Sequence, residues 1–166
     1  MNHSRYRIRF FFFIILAALF VKVCILDIMY ISGPSMKPGL ETGSFVLEFK
    51  LKWGIPIPFT NSYMLRWGKP HTGEIVIFPY LDRYVIKRIA ATENTPLVFT
   101  DKTGYSVLIG ERDVPLTEEQ YLKLKYAKKV PSGMFFALGD NMAESRDSRD
   151  YGFVSLDSIR GKALWK

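Results

Sequence analysis

Cysteine is almost missing from this chain: Cys24 is the single one in 166 residues, so no internal disulfide can form. The residues before it, Phe20-Val21-Lys22-Val23, lack the small side chains of a lipoprotein cleavage site, and we read Cys24 as a small buried hydrophobe. Histidine is nearly as scarce. His3 and His71, with no cysteine pair beside them, do not make a zinc ligand set, and we expect no metal and no cofactor. No internal repeat and no second long apolar run are present. The composition also excludes general disorder, since 48% of residues are hydrophobic, with 13 Phe, 9 Tyr and 3 Trp. The formal charge of +7 invites a nucleic-acid reading, but Arg5, Arg7 and Arg9 carry three of those charges and no basic helix or RNA-binding signature follows. We therefore expect no nucleic-acid partner.

One long apolar run is there. Phe10 to Leu26 holds a single charge, Lys22, in seventeen residues. As a helix it is about 26 Å long, against a hydrocarbon core of roughly 30 Å. Extending the run to Ile31 adds length together with Asp27, and Lys22 lies near the outer end, where its stem can snorkel. We read residues 10–31 as a single transmembrane anchor in a lipid bilayer. A buried helix or a cleaved signal peptide are the alternatives; a good small-x-small cleavage site is absent, although Ala17 and Ala18 keep the second open. Arginines precede the run, so residues 1–9 are expected in the cytoplasm and residues 32–166 outside it.

The remainder reads as short strands between turns. Ser44 to Phe49 alternates as a strand does. Residues 51–68 are apolar yet broken by Pro56 and Pro58, which bar a central strand or a helix interior. That segment is either a loop folded back over the core or one whose Trp and Ile dip into a membrane interface. Strands are predicted over 74–78 and 83–91, a hairpin over 97–109 with its turn at 100–104, and a strand over 134–138. Thr117-Glu118-Glu119-Gln120 has the capping-box form and opens a short helix to about Lys128. The fold class expected is mainly β: an antiparallel, barrel-like domain with one N-terminal transmembrane helix and one short helix.

Three stretches carry chemistry. Ser32-Gly33-Pro34-Ser35-Met36-Lys37-Pro38-Gly39-Leu40 is a rigid turn presenting one hydroxyl, Ser35, next to an apolar Met36 that pins it. By itself a serine in a turn is usually only that. In Tyr84-Val85-Ile86-Lys87-Arg88-Ile89, strand alternation puts Lys87 on one face with Val85 and Ile89. Lys87 either snorkels to water or is desolvated, and a desolvated amine has the lowered pKa that a general base at neutral pH needs. His71 sits in a turn and Lys37 replaces the second glycine of a Gly-x-Ser-x-Gly elbow, so a Ser-Lys pair fits better than Ser-His-Asp. Gly139-Asp140-Asn141-Met142-Ala143-Glu144-Ser145-Arg146-Asp147-Ser148-Arg149 is a polar surface loop, a cation loop without EF-hand spacing, or a source of hydroxyls and a bracing Asp147/Arg149 pair.

Together with Thr72-Gly73-Glu74-Ile75-Val76-Ile77-Phe78, these blocks resemble the type I signal peptidase family in order, spacing and residue type, from Ser32 to about Ala163. The resemblance implies a membrane-bound serine endopeptidase that removes signal peptides from secreted preproteins after a small-x-small sequence. It implies Ser35 as nucleophile and Lys87 as general base, with Ser145 hydrogen-bonded to the lysine and Asp147 and Arg149 as a structural ion pair. Met36, Leu40, Val85 and Ile86 would line shallow pockets for small side chains, and residues about 92–131 would be a family-variable insertion. It further implies a monomer in the plasma membrane of a bacterium, without cofactor. The chain departs from the family pattern in four ways. Gly33 stands where some members have an oxyanion-donating serine, Gly39 where threonine is usual, and Met142 where arginine is common; and it has one anchor instead of two. A Ser-Lys self-cleaving repressor would instead want a helix-turn-helix and an Ala-Gly or Cys-Gly dipeptide, both missing. A decayed binding module would have lost Ser35, Lys87 or Ser145, and all three are present. A peptidase dedicated to one substrate stays open.

Overall fold

The computed structural model describes residues 3–57, 60, 62–102 and 104–164, with side chains from Tyr6 onward. Pro58, Phe59 and Asn61 of the proline-broken segment and Thr103 of the predicted hairpin turn lie outside the described residues.

Helix α1 (His3–Cys24) leads into strand β1 (Leu26–Tyr30), which pairs antiparallel with β2 (Phe45–Phe49), Ile28 opposite Leu47 and Tyr30 opposite Phe45. The expected helical anchor over 10–31 is thus corrected at its outer end. Asp27 is the reason: it meets Arg160 at 2.5 Å and Lys50 at 3.4 Å, contacts that an extended 26–30 segment brings to the sheet. The α1 terminus is capped by Lys50, whose Nζ donates to the carbonyls of Lys22 (2.7 Å) and Val23 (3.0 Å). Cys24 at this junction is half-buried, not a core residue. No helix among the described residues is long and apolar enough to cross a membrane. Between Arg9 and Lys22 the apolar part of α1 spans only about 18 Å.

A two-stranded hairpin follows, β3 (Gly54–Pro56) with β4 (Tyr63–Arg66). The segment read as a loop is therefore paired, and it divides in two. Trp53 at its base is 2% exposed in the core, whereas Ile57, Met64, Leu65 and Trp67 are exposed. Next come β5 (Ile75–Tyr80) and β6 (Arg83–Ala91), paired from Ile75–Arg88 to Tyr80–Arg83. Strands β7 (Val98–Thr100), β8 (Ser106–Ile109) and β9 (Arg112–Pro115) make a separate three-stranded sheet. Helix α2 (Glu118–Leu124) opens on the predicted capping box at Thr117 and Gln120, but ends short of Lys128 because Lys128 and Lys129 pair back onto Leu97 and Pro96. The chain finishes with β10 (Met134–Leu138), a one-turn helix α3 (Ser148–Tyr151) not expected from the sequence, β11 (Val154–Ser155) and β12 (Gly161–Leu164).

The main sheet has the order β1-β2-β12-β5-β6-β10-β11. Its ends, β1 and β11, are not paired with each other in that order, so the barrel-like closure expected is not made by the strand ladder; the mainly β, antiparallel architecture is as expected. Strand β5 is buried on both faces. Ile75 and Ile77 join Met36, Leu40, Val46 and Ala163 on one side, while Val76 and Phe78 join Trp53, Ile89, Phe135 and Ala137 on the other. Phe78 and Phe135 meet edge-to-face at 5.4 Å, each burial contributing about 1.5–3 kcal/mol. A third cluster, with Val107, Val114 and Leu124, packs on Phe136 and Leu138 of β10 and joins residues 92–131 to the main sheet.

Candidate active site

Ser35 sits in a single 3-10 turn, Pro34–Met36, entered through Gly33 in extended conformation. Proline supplies the fixed φ at the first helical position. Below the turn Met36 is 1% exposed and Leu40 fully buried, which anchors the hydroxyl-bearing loop to the sheet. From the other side Asn141 N donates to the Ser35 carbonyl at 3.0 Å. The serine is thus held between the core and the 139–149 loop.

Lys87 reaches it from β6. Its Nζ lies 2.7 Å from Ser35 Oγ, and the residue is only 4% exposed. Among the described residues no carboxylate forms an ion pair with it. Burial pushes the Lys87 amine below its ordinary value of 10.5; the Asp147 and Asp140 charges pull it back up and the Arg149 charge pushes it further down. Of the two sequence readings for Lys87, burial replaces snorkelling.

The 139–149 loop is braced as its residue types suggested. Arg149 Nε and Nη2 grip the two Asp147 oxygens at 2.9 and 3.0 Å, both side chains being buried. Arg149 Nη2 also donates to the carbonyls of Met142 (2.7 Å) and Ser145 (3.2 Å), and Gly139 N donates to Asp147 Oδ2 (3.0 Å). One guanidinium therefore fixes three points of the loop. Ser145 departs from expectation. Its Oγ is buried with no hydrogen-bond partner among the described residues, so the bond to Lys87 implied by the resemblance is not made.

The four residues expected to line substrate pockets divide. Met36 and Leu40 are core side chains, Ile86 packs half-buried against their cluster, and Val85 lies on the other face with Ile89. Gly33 has nothing within 4 Å of where a Cβ would stand, and its carbonyl accepts from Thr42 Oγ1 at 3.1 Å.

Sequence reasoning gave no role to Arg88 or Asp140, although both lie inside motifs it singled out. Arg88 leaves β6 on the face opposite Lys87 and clasps Asp140 with two bonds, 2.8 and 2.6 Å, while its Nη1 donates to the Gly73 carbonyl. A Cβ on Gly39 would overlap Asp140 Oδ2, so glycine at the usual threonine position is what leaves room for this pair. The signal was available: a lysine-arginine pair on a strand offers one cation to each face. Among the described residues no group of three or more His, Cys, Asp or Glu side chains is gathered as a metal ion requires.

A buried amine thus lies against a turn serine, beside a braced polar loop. The family model of the signal peptidases, peptidase S26, matches residues 4–166. The chain belongs to the signal peptidase family. It is a serine peptidase, a hydrolase that removes signal peptides from preproteins. A signal peptidase I of Pseudomonas fluorescens is 28% identical over 93% of this chain and 69% of its own length. One from Aquifex aeolicus is 28% identical over 92% and 80%. Thylakoidal processing peptidase 1 of Arabidopsis thaliana is 31% identical over 82% of this chain and 40% of its own. A crystal structure of a signal peptidase I from Enterococcus faecalis, 26% identical, aligns with 57% of this chain and 97% of its own at a TM-score of 0.40.

Proposed function

We propose that this signal peptidase works through a Ser35–Lys87 pair at a membrane surface, cutting secretory preproteins after small-x-small signal sequences. The observation that carries the reading is the 2.7 Å separation of Lys87 Nζ from Ser35 Oγ with the amine 4% exposed. Neutral Lys87 takes the Ser35 proton as Oγ attacks the scissile carbonyl carbon. The lysine ammonium returns that proton to the departing amine of the mature protein, leaving a serine ester. Neutral again, Lys87 deprotonates a water that attacks the ester carbon. The C–Oγ bond breaks, the signal peptide leaves as a carboxylate, and the lysine ammonium returns the proton to Ser35 Oγ. Ser35 is the second residue of its 3-10 turn, where a backbone N–H has no intrahelical acceptor, and this amide is the oxyanion donor. Ser145 Oγ, buried and without a partner among the described residues, is the hydroxyl available to steady the amine. Ile86, half-buried over the Met36–Leu40 cluster, faces the substrate, with Met36 and Leu40 as the floor beneath.

The membrane part of the proposal rests on exposure. From Phe10 to Phe20 the large apolar side chains of α1 are exposed around the whole helix, Phe12 and Phe13 at 68% and 67%, a pattern that needs an apolar surrounding. Ile57, Met64, Leu65 and Trp67 at the β3–β4 hairpin and Ile28, Tyr30 and Phe45 on the β1–β2 ladder are exposed as well. Arg7 and Arg9 before the run orient the N-terminus to the cytoplasm of a bacterium and the β domain to the extracytoplasmic face. All proposed catalytic groups come from one chain, as a monomeric enzyme requires.

The test is cleavage of a preprotein carrying a small-x-small site in lipid vesicles or detergent by the full chain and by Ser35→Ala. Wild-type cleavage at that site, lost in the variant, is expected; cleavage by Ser35→Ala removes the serine from the mechanism.

A further inference from the structure

Residues 92–131 carry none of the proposed catalytic groups, yet one of their side chains is wired to the loop that braces the site. Gln120 is the third residue of α2, and its Oε1 accepts from Thr117 N at 2.9 Å, completing the capping box. Its other end does not face water. Gln120 Nε2 donates to Asp150 Oδ1 at 2.8 Å. Asp150 is itself the third residue of α3, and its Oδ2 accepts from Asp147 N at 3.0 Å, completing a second capping box. The N-cap of that box, Asp147, is the carboxylate gripped by Arg149 beside Lys87. Lys123, one turn along α2, donates to the Asp150 carbonyl. Two capping boxes are thus joined side chain to side chain, the first on α2 and the second on the catalytic loop.

We propose that Gln120 and Asp150 are positioning residues, through which α2 fixes the start of α3 and so the orientation of the Asp147–Arg149 pair next to Lys87. This deepens the Ser35–Lys87 reading and rests on it. The apolar contacts of Val107, Val114 and Leu124 with Phe136 and Leu138 dock the 92–131 region as a whole, so the polar joint is not what holds it in place. What the joint adds is direction. Without Gln120 Nε2 the Asp150 carboxylate is free to turn, and the Asp147 N–H loses a fixed acceptor. Lys87 feels Asp140, Asp147 and Arg149 from the loop, and the last two act on its proton affinity in opposite directions, so a small rotation of that pair alters the balance.

The joint can be inverted, which gives the test. In Gln120→Glu combined with Asp150→Asn, the glutamate accepts from Thr117 N and from the new amide, whose oxygen accepts from Asp147 N. The net charge is that of the wild type. Preprotein cleavage by the full chain is compared for Gln120→Leu, Gln120→Glu and the double variant. We expect each single variant to lower kcat about tenfold with KM within about twofold, and the double variant to recover most of the loss. Thermal unfolding identifies any variant that fails to fold. The Lys87 amine titration, followed by nitrogen NMR, is displaced in Gln120→Leu and restored in the double variant. Single variants with wild-type kcat and an unmoved Lys87 titration overturn the proposal, as does a double variant whose losses simply multiply. Should the wild type cleave no preprotein, the peptidase reading fails, and the Lys87 titration still decides for or against the joint.

Discussion

Gly139 and Ser145 touch so closely that neither has room for another atom between them. A Cβ on Gly139 would overlap Ser145 Oγ and stand 2.5 Å from both Ser145 Cβ and the Ser35 carbonyl oxygen. Gly139, directly after β10, thus lies between the Ser35 turn and Ser145, and only glycine lets the two approach.

Gly139→Ala is therefore expected to push the two loops apart. Overpacking of this kind costs about 1–3 kcal/mol of stability, and a displacement near 1 Å at the reacting groups costs about a hundredfold in turnover. Thermal unfolding and single-turnover cleavage check both; wild-type turnover in this variant means the loops have slack that the packing does not show.

Gly33→Ser is expected to act in the opposite sense. The Cβ position is open and the backbone is in the extended region, so the new side chain introduces no strain. Losing an oxyanion donor costs other enzymes about 2.7–4 kcal/mol, and a donor added without its own supports should recover part of that, about tenfold in kcat. An unchanged or lowered kcat, with KM unchanged, places the oxyanion elsewhere.

Lys87 also leaves a mark on stability. Its folded pKa lies below its unfolded value of 10.5, so between the two the unfolded chain binds one more proton than the native one. Stability then rises with pH through that window, by about 1.4 kcal/mol per unit, and is flat in this respect below the folded pKa, where both states are protonated. Lys87→Met removes that dependence. The variant should be more stable than wild type at pH 7, with the difference shrinking as pH approaches 10.5; denaturant midpoints across the range test this.

Much of this arrangement was legible in the sequence because it is local. Proline and glycine around Ser35, alternation around Lys87, and acid-base spacing in the 139–149 loop each act over a few residues. The strands at 45–49, 75–80, 83–91 and 134–138 were readable for the same reason. What was not legible depends on distant partners. Residues 26–30 read as the end of an apolar helix, and only the ladder with β2 and the Asp27–Arg160 contact make them a strand. Strand β9 is Arg-Asp-Val-Pro, with one buried residue, and owes its conformation to β8. The α3 turn did have a local signal: Asp147-Ser148-Arg149-Asp150 carries acceptors at the N-cap and third positions, as a capping box does. Ser145 shows the limit of resemblance, since the residue is in place and the bond expected of it is not made.

Lys87 as the base is tested most directly by kcat/KM for preprotein cleavage against pH, for wild type and Lys87→Ala together. The prediction is a wild-type rate that rises through one ionisation below the ordinary lysine value of 10.5, and no measurable turnover by a folded Lys87→Ala at any pH. Turnover by Lys87→Ala within about tenfold of wild type, or a wild-type profile without that rise, contradicts it.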